Sequence, residues 1–402
     1  MRLKISPLLL ERKIRQMLLA NFCASAAVGI ASILIPWLFI KESSSNTFTI
    51  LATITIFLIM YIMPMIGRII DRGQRTTVLM TTSTCGCLLF CALAFLPIGG
   101  MIYLTSLLVA YVLMQVYFNF YYTARGALAQ SLTVRENYGK LNGWLEVENQ
   151  IAAFSAGTIA VLLLDILPME AIFIVCALSL ALSAFLFGRI DEPVRPLQAK
   201  KITAASDDLN FNKALIYLVT AGNIPFICVM LLNIIKPVFV ADVLKSDAQS
   251  LALVTLSYTV GAILTGAFSG MLLTRIDPYV SLVTAVCGFV LVTAFLIFED
   301  GIVSLCVVSV GWGVFNSLSR ISRQTIAMEL VSNDVIGRFI AYTQRINLFI
   351  RGVVIISYTT LFLYVDYAYS FWFLTVFAAF GPMLLLYQQQ KHPLDRTPEG
   401  QA

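Results

Sequence analysis

Between Thr76 and Ala124 the chain runs for 49 residues without one Asp, Glu, Lys or Arg. Hydrocarbon offers no water to backbone N–H and C=O groups, so a segment held there must close its own hydrogen bonds, as a helix or within a closed barrel. The dyad alternation of barrel strands is missing from this stretch, which leaves helix. A spanning helix takes about 20 residues, so the stretch has to hold two, and Pro97-Ile98-Gly99-Gly100 supplies the turn between them. The same reasoning applied to the other charge-free windows places helices near 16–40, 46–66, 77–97, 101–124, 141–164, 168–188, 213–237, 248–273, 278–298, 302–322, 339–364 and 367–388. The expected fold is all-α and integral to a membrane, with twelve transmembrane helices. Composition agrees: 59% of residues are hydrophobic and 12% charged, about half the roughly 25% charge of soluble domains. A cytosolic enzyme, a secreted disulfide scaffold and a disordered chain are excluded.

Charge placement then sets orientation. With the N-terminus inside, the cytoplasmic segments hold 22 of the 27 Lys and Arg, the outer segments hold Lys41, Lys236 and Lys245, and Arg345 and Arg351 fall within a span. That bias is the positive-inside pattern. It accounts for the net charge of +5 without nucleic acid as a partner, and an even helix count puts both termini in the cytoplasm. The run Gln16–Ile40 follows Arg2, Lys4, Arg12, Lys13 and Arg15; it is too long for a cleavable signal core and reads as the first span.

The eight cysteines all lie in apolar runs and read as small buried hydrophobes. The single histidine, His392, is in the polar tail. No metal site and no cofactor are expected, and a histidine-based catalytic centre is excluded.

The longest polar linker, at 189–212, divides residues 1–188 from 213–402, six helices each. The halves resemble one another at a constant offset of 198 residues. Arg125 meets Arg323, Ala129 meets Ala327, Leu132 meets Leu330, Glu136 meets Asp334, Gly139 meets Gly337, Lys140 meets Arg338 and Asn149 meets Asn347. Two parallel halves of this kind imply a pseudo-twofold axis along the membrane normal and a site at the midplane.

Gly67-Arg68-Ile69-Ile70-Asp71-Arg72-Gly73-Gln74-Arg75 joins helices two and three. It resembles the cytoplasmic loop signature of the major facilitator superfamily (MFS), a glycine, three residues, Asp-Arg, then further basic residues. Gln74 stands where a second glycine is usual, and the second-half counterpart is reduced to Gly270-Met271-Leu272-Leu273-Thr274-Arg275. The resemblance implies that Gly67, Asp71, Arg72 and Arg75 form a cytoplasmic gate, with Arg125, Gly139, Arg323 and Gly337 of the repeated loops. The Asp can cap a helix N-terminus and the arginines can pair across to the other half. Those repeated loops are similar to ones in bacterial siderophore and macrolide exporters, although the glycine-proline motif of antiporter fifth helices is replaced by Ala153-Phe154-Ser155-Ala156-Gly157. A multi-pass protein of the bacterial inner membrane, monomeric, is implied.

An ionisable group inside a span is a functional candidate by default. Glu146 and Glu148 lie about 200° apart on a helix, so they cannot face the same cavity; they are the candidates for proton coupling, with structural ion pairing as the alternative. Arg351 lies deep in the bilayer with Asn347 one turn earlier on the same face. It reads as a substrate contact or as a partner for a helix-five glutamate. Arg345 is nearer the cytoplasm and suits snorkelling or gating. Lys236 is a substrate candidate or an interfacial lysine. Helices one, four, seven and ten line the cavity in the superfamily, which adds Gln115 and Asn119 as substrate contacts and Asn21, Ser25, Asn223, Asn233, Ser309 and Asn316 as polar lining. Tyr121 and Tyr122 are either stacking surfaces or part of an interfacial belt. Gly266 and Gly270 suit close helix packing. Three embedded bases against two acids favour an anionic or zwitterionic solute. With no phosphate-binding loop, the expected function is secondary active export of a medium-sized polar or amphipathic compound, coupled to protons. Import of a nutrient, or a non-transporting sensor, is the alternative.

Overall fold

The computed structural model describes residues 11–43, 45–96, 99–192, 211–298 and 301–393. Most of the linker expected at 189–212 and the turn residues Pro97 and Ile98 lie outside the described residues. Among those described, the expected twelve long helices are present: α1 Arg12–Glu42, α2 Ser45–Arg72, α3 Arg75–Ala94, α4 Gly100–Leu132, α5 Tyr138–Ile166, α6 Met169–Gly188, α7 Lys213–Val238, α8 Ala248–Leu272, α9 Pro278–Phe295, α10 Ile302–Leu330, α11 Ile336–Leu361 and α12 Ser370–Lys391. Eleven of them are long and apolar enough to cross a membrane, with mean hydropathy between 1.3 and 2.5. The twelfth, α5, is 29 residues long and carries Lys140, Glu146 and Glu148 in its first half. The chain is a multi-pass, all-α membrane protein.

Helix starts follow local chemistry. Asn212, Asp247 and Asp277 each accept a hydrogen bond from a first-turn N–H, at 2.9, 2.9 and 2.7 Å, and Pro278 fills the first position of α9 where its missing N–H costs nothing. Gly99 and Gly100 take φ of 92° and 80°, a region open to glycine, and this lets α3 and α4 follow each other so closely.

The chain divides into two compact units. Unit 1 is residues 1–134, 148–195 and 333–342; unit 2 is 135–147, 196–332 and 343–402. In unit 1, α3 packs on α6 and α4, α1 on α6 and α4, and α2 on α4. In unit 2, α9 packs on α12 and α10, α7 on α12 and α10, and α8 on α10. Every pairing of the first set becomes one of the second when six is added to each helix number. The helix ends obey the sequence offset too: α4 and α10 end at Leu132 and Leu330, and α5 and α11 begin at Tyr138 and Ile336. Both α4 and α10 therefore run some eight residues beyond the ends expected from charge-free windows. Arg125 and Arg323, expected in loops, lie on these helices.

The core of unit 2 gathers around Trp312, which is fully buried, donates its indole N–H to Thr293 Oγ1 at 2.8 Å and stacks on Phe371. Beside it, α8 and α10 meet backbone to backbone. A Cβ on Gly313 would strike the carbonyl oxygen of Tyr258 and come within 2.8 Å of the Ala262 nitrogen, and one on Gly261 would strike the Val310 carbonyl. With lipid on the outside, such close approach is where helix association finds its dispersion energy. Gly313→Ala is expected to overpack this seam and cost about 1–3 kcal/mol; a lowered unfolding midpoint of the purified protein in detergent measures it, and an unchanged midpoint would show that α8 and α10 can separate freely.

Candidate functional site

Of the predicted gate residues, Gly67, Asp71, Arg75 and Gly337 gather within unit 1, where the end of α2 reaches the start of α11. Asp71 accepts hydrogen bonds from the backbone N–H of Gly337 at 2.7 Å, the N–H of Arg338 at 3.0 Å and Nε of Arg338 at 3.0 Å. One carboxylate thus satisfies two of the orphan donors that open a helix and pairs with a guanidinium. The glycines explain how the backbones come so near. A Cβ on Gly67 would lie 2.7 Å from the Arg338 Cα, and one on Gly337 would lie 2.5 Å from Asp71 Oδ1. Arg75, also fully buried, donates to the carbonyl oxygens of Ala127 and Asn333. Glu192 accepts from the N–H and hydroxyl of Thr76 at 3.0 and 3.1 Å, which caps α3. Arg72 is exposed and does not join the cluster.

Unit 2 holds the counterpart junction, where the end of α8 meets the start of α5. A Cβ on Gly139 would lie 2.9 Å from Leu273 Cδ1, and one on Gly270 would lie 2.8 Å from Lys140 Cγ. Further along, Gly266 faces Gly143, with a Cβ on Gly266 falling 2.9 Å from the Gly143 carbonyl. The pairs Gly67–Arg338 and Gly270–Lys140 thus correspond across the repeat. Thr274 stands where Asp71 does. In place of a capping acid there is a cavity of about 310 Å³ bordered by Arg135, Lys140, Thr274 and Glu329, with Arg135 and Glu329 paired at 3.8 Å.

The two glutamates of α5 turn to different partners, as their angular separation requires. Glu148 pairs with Arg125 of α4 at 3.2 Å, both side chains being buried. The Arg125 guanidinium also lies 4.7 Å from the ring centre of Tyr122, and the Tyr122 hydroxyl donates to Asn149 Oδ1 at 2.5 Å. Glu146 accepts from the Ser317 hydroxyl at 2.7 Å and from Arg320 at 3.3 Å, both on α10. Arg323, the repeat mate of Arg125, is half-buried and packs along Gly222, where a Cβ would meet its Cδ at 3.3 Å.

The substrate candidates are more dispersed. Asn119 is buried, but its amide is spent on the carbonyl of Gln115 in its own helix, at 2.8 Å. Asn347 is 1% exposed, and neither end of its amide has a hydrogen-bond partner; Arg351, one turn on, is half-buried. Lys236 is buried against the ring of Tyr258, 5.8 Å from its centre. The Tyr258 hydroxyl accepts from Asn316 Nδ2 at 2.7 Å. Arg345 is exposed. Sequence reasoning missed three participants. Arg320 and Ser317 lie inside the span expected at 302–322 but nothing local marks them as partners of Glu146, and Tyr258 sits in an apolar run with nothing to mark it.

The family model for the Major Facilitator Superfamily matches residues 17–352. No protein of curated function is matched by sequence. Among solved structures, a bacterial homologue of the iron transporter ferroportin in an outward-facing state aligns with TM-score 0.77 at 13% identity, over 95% of this chain and 100% of that one. FucP, a Major Facilitator Superfamily transporter in the outward conformation, gives 0.72 at 13% identity, over 93% and 98%. The human organic anion transporter MFSD10 (TETRAN) gives 0.72 at 11%, over 93% and 99%. At such identities these likenesses establish the fold.

The Arg125–Glu148 pair makes a prediction with a built-in sign. Removing one member of a buried pair leaves an uncompensated charge and costs about 3–5 kcal/mol, whereas removing both costs far less. Arg125→Leu should lower the unfolding midpoint of the purified protein more than the double variant Arg125→Leu/Glu148→Gln does. Equal loss in both would show the two side chains to be energetically uncoupled.

Proposed function

Since the chain belongs to the major facilitator superfamily, we propose that it is a secondary active transporter that exports a medium-sized polar or amphipathic molecule, such as a siderophore, antibiotic or peptide product, coupled to protons. Membrane transport, rather than enzymatic catalysis, is the work of the family and of this fold. In our reading the protein sits in a bacterial inner membrane with both termini cytoplasmic, acts as a monomer, and works by alternating access.

The observation that carries the reading is the Asp71 junction. Three charge-assisted hydrogen bonds and two glycine contacts hold the start of α11 in unit 1. Such bonds are worth about 1.5–3 kcal/mol each when made, yet water replaces them readily at a membrane surface. That combination suits a latch, which must be firm when shut and cheap to open. Gly67, Gly337, Arg75 and Arg338 complete it, and the glycine-packed junction of Gly139 and Gly270 is its partner in the repeat. Arg125 and Arg323 anchor the two helices that lead into these junctions.

Glu146 and Glu148 are the proposed proton carriers. Each is held by an arginine, so a proton taken up by either carboxylate releases a guanidinium, which links protonation to a change in helix contacts. Bland structural pairing predicts that neutralising either residue alters stability and leaves flux per molecule intact.

Comparing extracellular metabolites from cells with and without the protein tests export directly. A compound that appears outside with the wild type establishes direction and solute. A compound depleted from the medium instead would reverse the direction. Asp71→Asn keeps the shape of the side chain, loses its charge, and is expected to insert normally and transport about tenfold less; wild-type flux at equal expression would remove Asp71 from the gate. Of Glu146→Gln and Glu148→Gln, the variant that abolishes the pH dependence of flux identifies the coupling residue. Retention of that dependence in both would end the proton role of α5.

A further inference from the structure

Lys236 occupies an unusual position. It lies on α7 inside unit 2, 7% exposed, with its ammonium over the ring of Tyr258 on α8. A lysine that serves an interface snorkels its ammonium out to water; this one is covered. No carboxylate pairs with it among the described residues. The embedded acids are already committed, Glu146 to Arg320 and Glu148 to Arg125. An isolated buried ammonium is costly unless it is paired, and a face of tyrosine repays part of that cost only.

A second feature lies in the same place. Asn316 of α10, 1% exposed, uses one end of its amide on the Tyr258 hydroxyl, while the other end is buried and has no partner. Three helices thus bring together a cation lacking an anion, a tyrosine fixed by a hydrogen bond, and an open amide end. The local backbone is irregular as well. Pro237 follows Lys236 directly, and α7 gives way to a π-turn at Phe239–Val243, the kind of helix interruption that recurs at binding sites.

We infer that the solute is an organic anion, and that its carboxylate or equivalent group binds Lys236 between α7, α8 and α10, with Asn316 taking a neighbouring polar group. The inference rests on the transporter reading for the word solute, while the binding site stands on its own geometry. Arg345, exposed, and Arg320, committed to Glu146, are not part of it.

Equilibrium binding separates the two readings, because it needs no translocation. The full-length protein in lipid nanodiscs is titrated with matched pairs that differ in charge alone: benzoate and benzamide, salicylate and salicylamide, N-acetylphenylalanine and its amide. Thermal stabilisation is read for each, with sodium chloride as an inorganic arm. At least one acid is expected to bind about tenfold or more tightly than its amide, in keeping with one charge-assisted contact. Lys236→Met should erase that preference, Lys236→Arg should keep part of it, and the exposed Lys245→Met should leave it whole. Asn316→Leu should weaken the acid by less than Lys236→Met does. Equal binding of acid and amide overturns the inference. So does a preference that survives Lys236→Met, an effect that chloride alone reproduces, or a panel in which no acid binds the wild type. A protein that binds acids at Lys236 and yet moves nothing keeps the site and loses the transport reading; flux of a neutral compound with no acid preference does the reverse.

Discussion

Hydrocarbon solvates neither a peptide group nor a charge, and both the scaffold and its chemistry follow from that. The first half of the constraint makes every span a helix, because only a helix closes its backbone hydrogen bonds within the segment. The second half makes every embedded charge answerable to a neighbour. Asp71 rests on two backbone N–H groups and a guanidinium. Glu148 has Arg125, and Glu146 has Ser317 and Arg320. The dielectric that strengthens these pairs also penalises breaking them. Lys236, buried on an aromatic face with no acid paired to it among the described residues, shows by contrast what an unfinished pair looks like.

The repeat shows how one structural idea was kept and then differentiated. The α4 and α10 ends and the α5 and α11 starts follow the 198-residue offset, and the helix pairings and the glycine contacts Gly67–Arg338 and Gly270–Lys140 correspond across the repeat. The acid does not. Asp71 caps α11, while Thr274 leaves the corresponding position without a carboxylate and with a cavity beside it. One junction therefore has a carboxylate capping the incoming helix as well as close contact, and the other has close contact without that cap. Charge-assisted bonds respond to solvent and to protonation, and glycine packing responds to neither. Two junctions so constructed differ in what would loosen them.

How much of this was legible beforehand divides along a physical line. Spans were readable because hydrophobic length is a one-dimensional property, and the 49 uncharged residues after Arg75 could only be two helices. The Asp71 loop was readable because a glycine, an acid and a run of bases occupy fixed positions. The ends of α4 and α10 were not, because the rule that a span stops at a charge fails when the charge is paired inside the fold; Arg125, paired with Glu148, sits on α4 for that reason. Partnerships were harder still. The angle between Glu146 and Glu148 could be computed from helical geometry, but their partners lie on α10 and α4, and nothing local to α5 names them. Tyr258 was invisible because its value comes from a neighbour 22 positions earlier in the chain.

The arrangement on α5 also bears on how coupling could be achieved. Its residues up to Val147 belong to unit 2 and those from Glu148 onward to unit 1. One glutamate is tied to α10 and the other to α4, the two helices that are mates in the repeat. A proton on Glu146 would neutralise one carboxylate and leave the Arg320 cation behind, half a pair in a medium that tolerates poorly any unpaired charge. Protonation at that point therefore cannot be a silent event. Either Arg320 finds water by moving, or another anion reaches it. The same reasoning applied to Glu148 would free Arg125; both guanidinium groups lie over aromatic rings, Arg125 over Tyr121 and Tyr122 and Arg320 over Phe226, but Arg125 is 6% exposed and Arg320 18%. Loss of the charge on Glu148 therefore strands the more deeply buried cation.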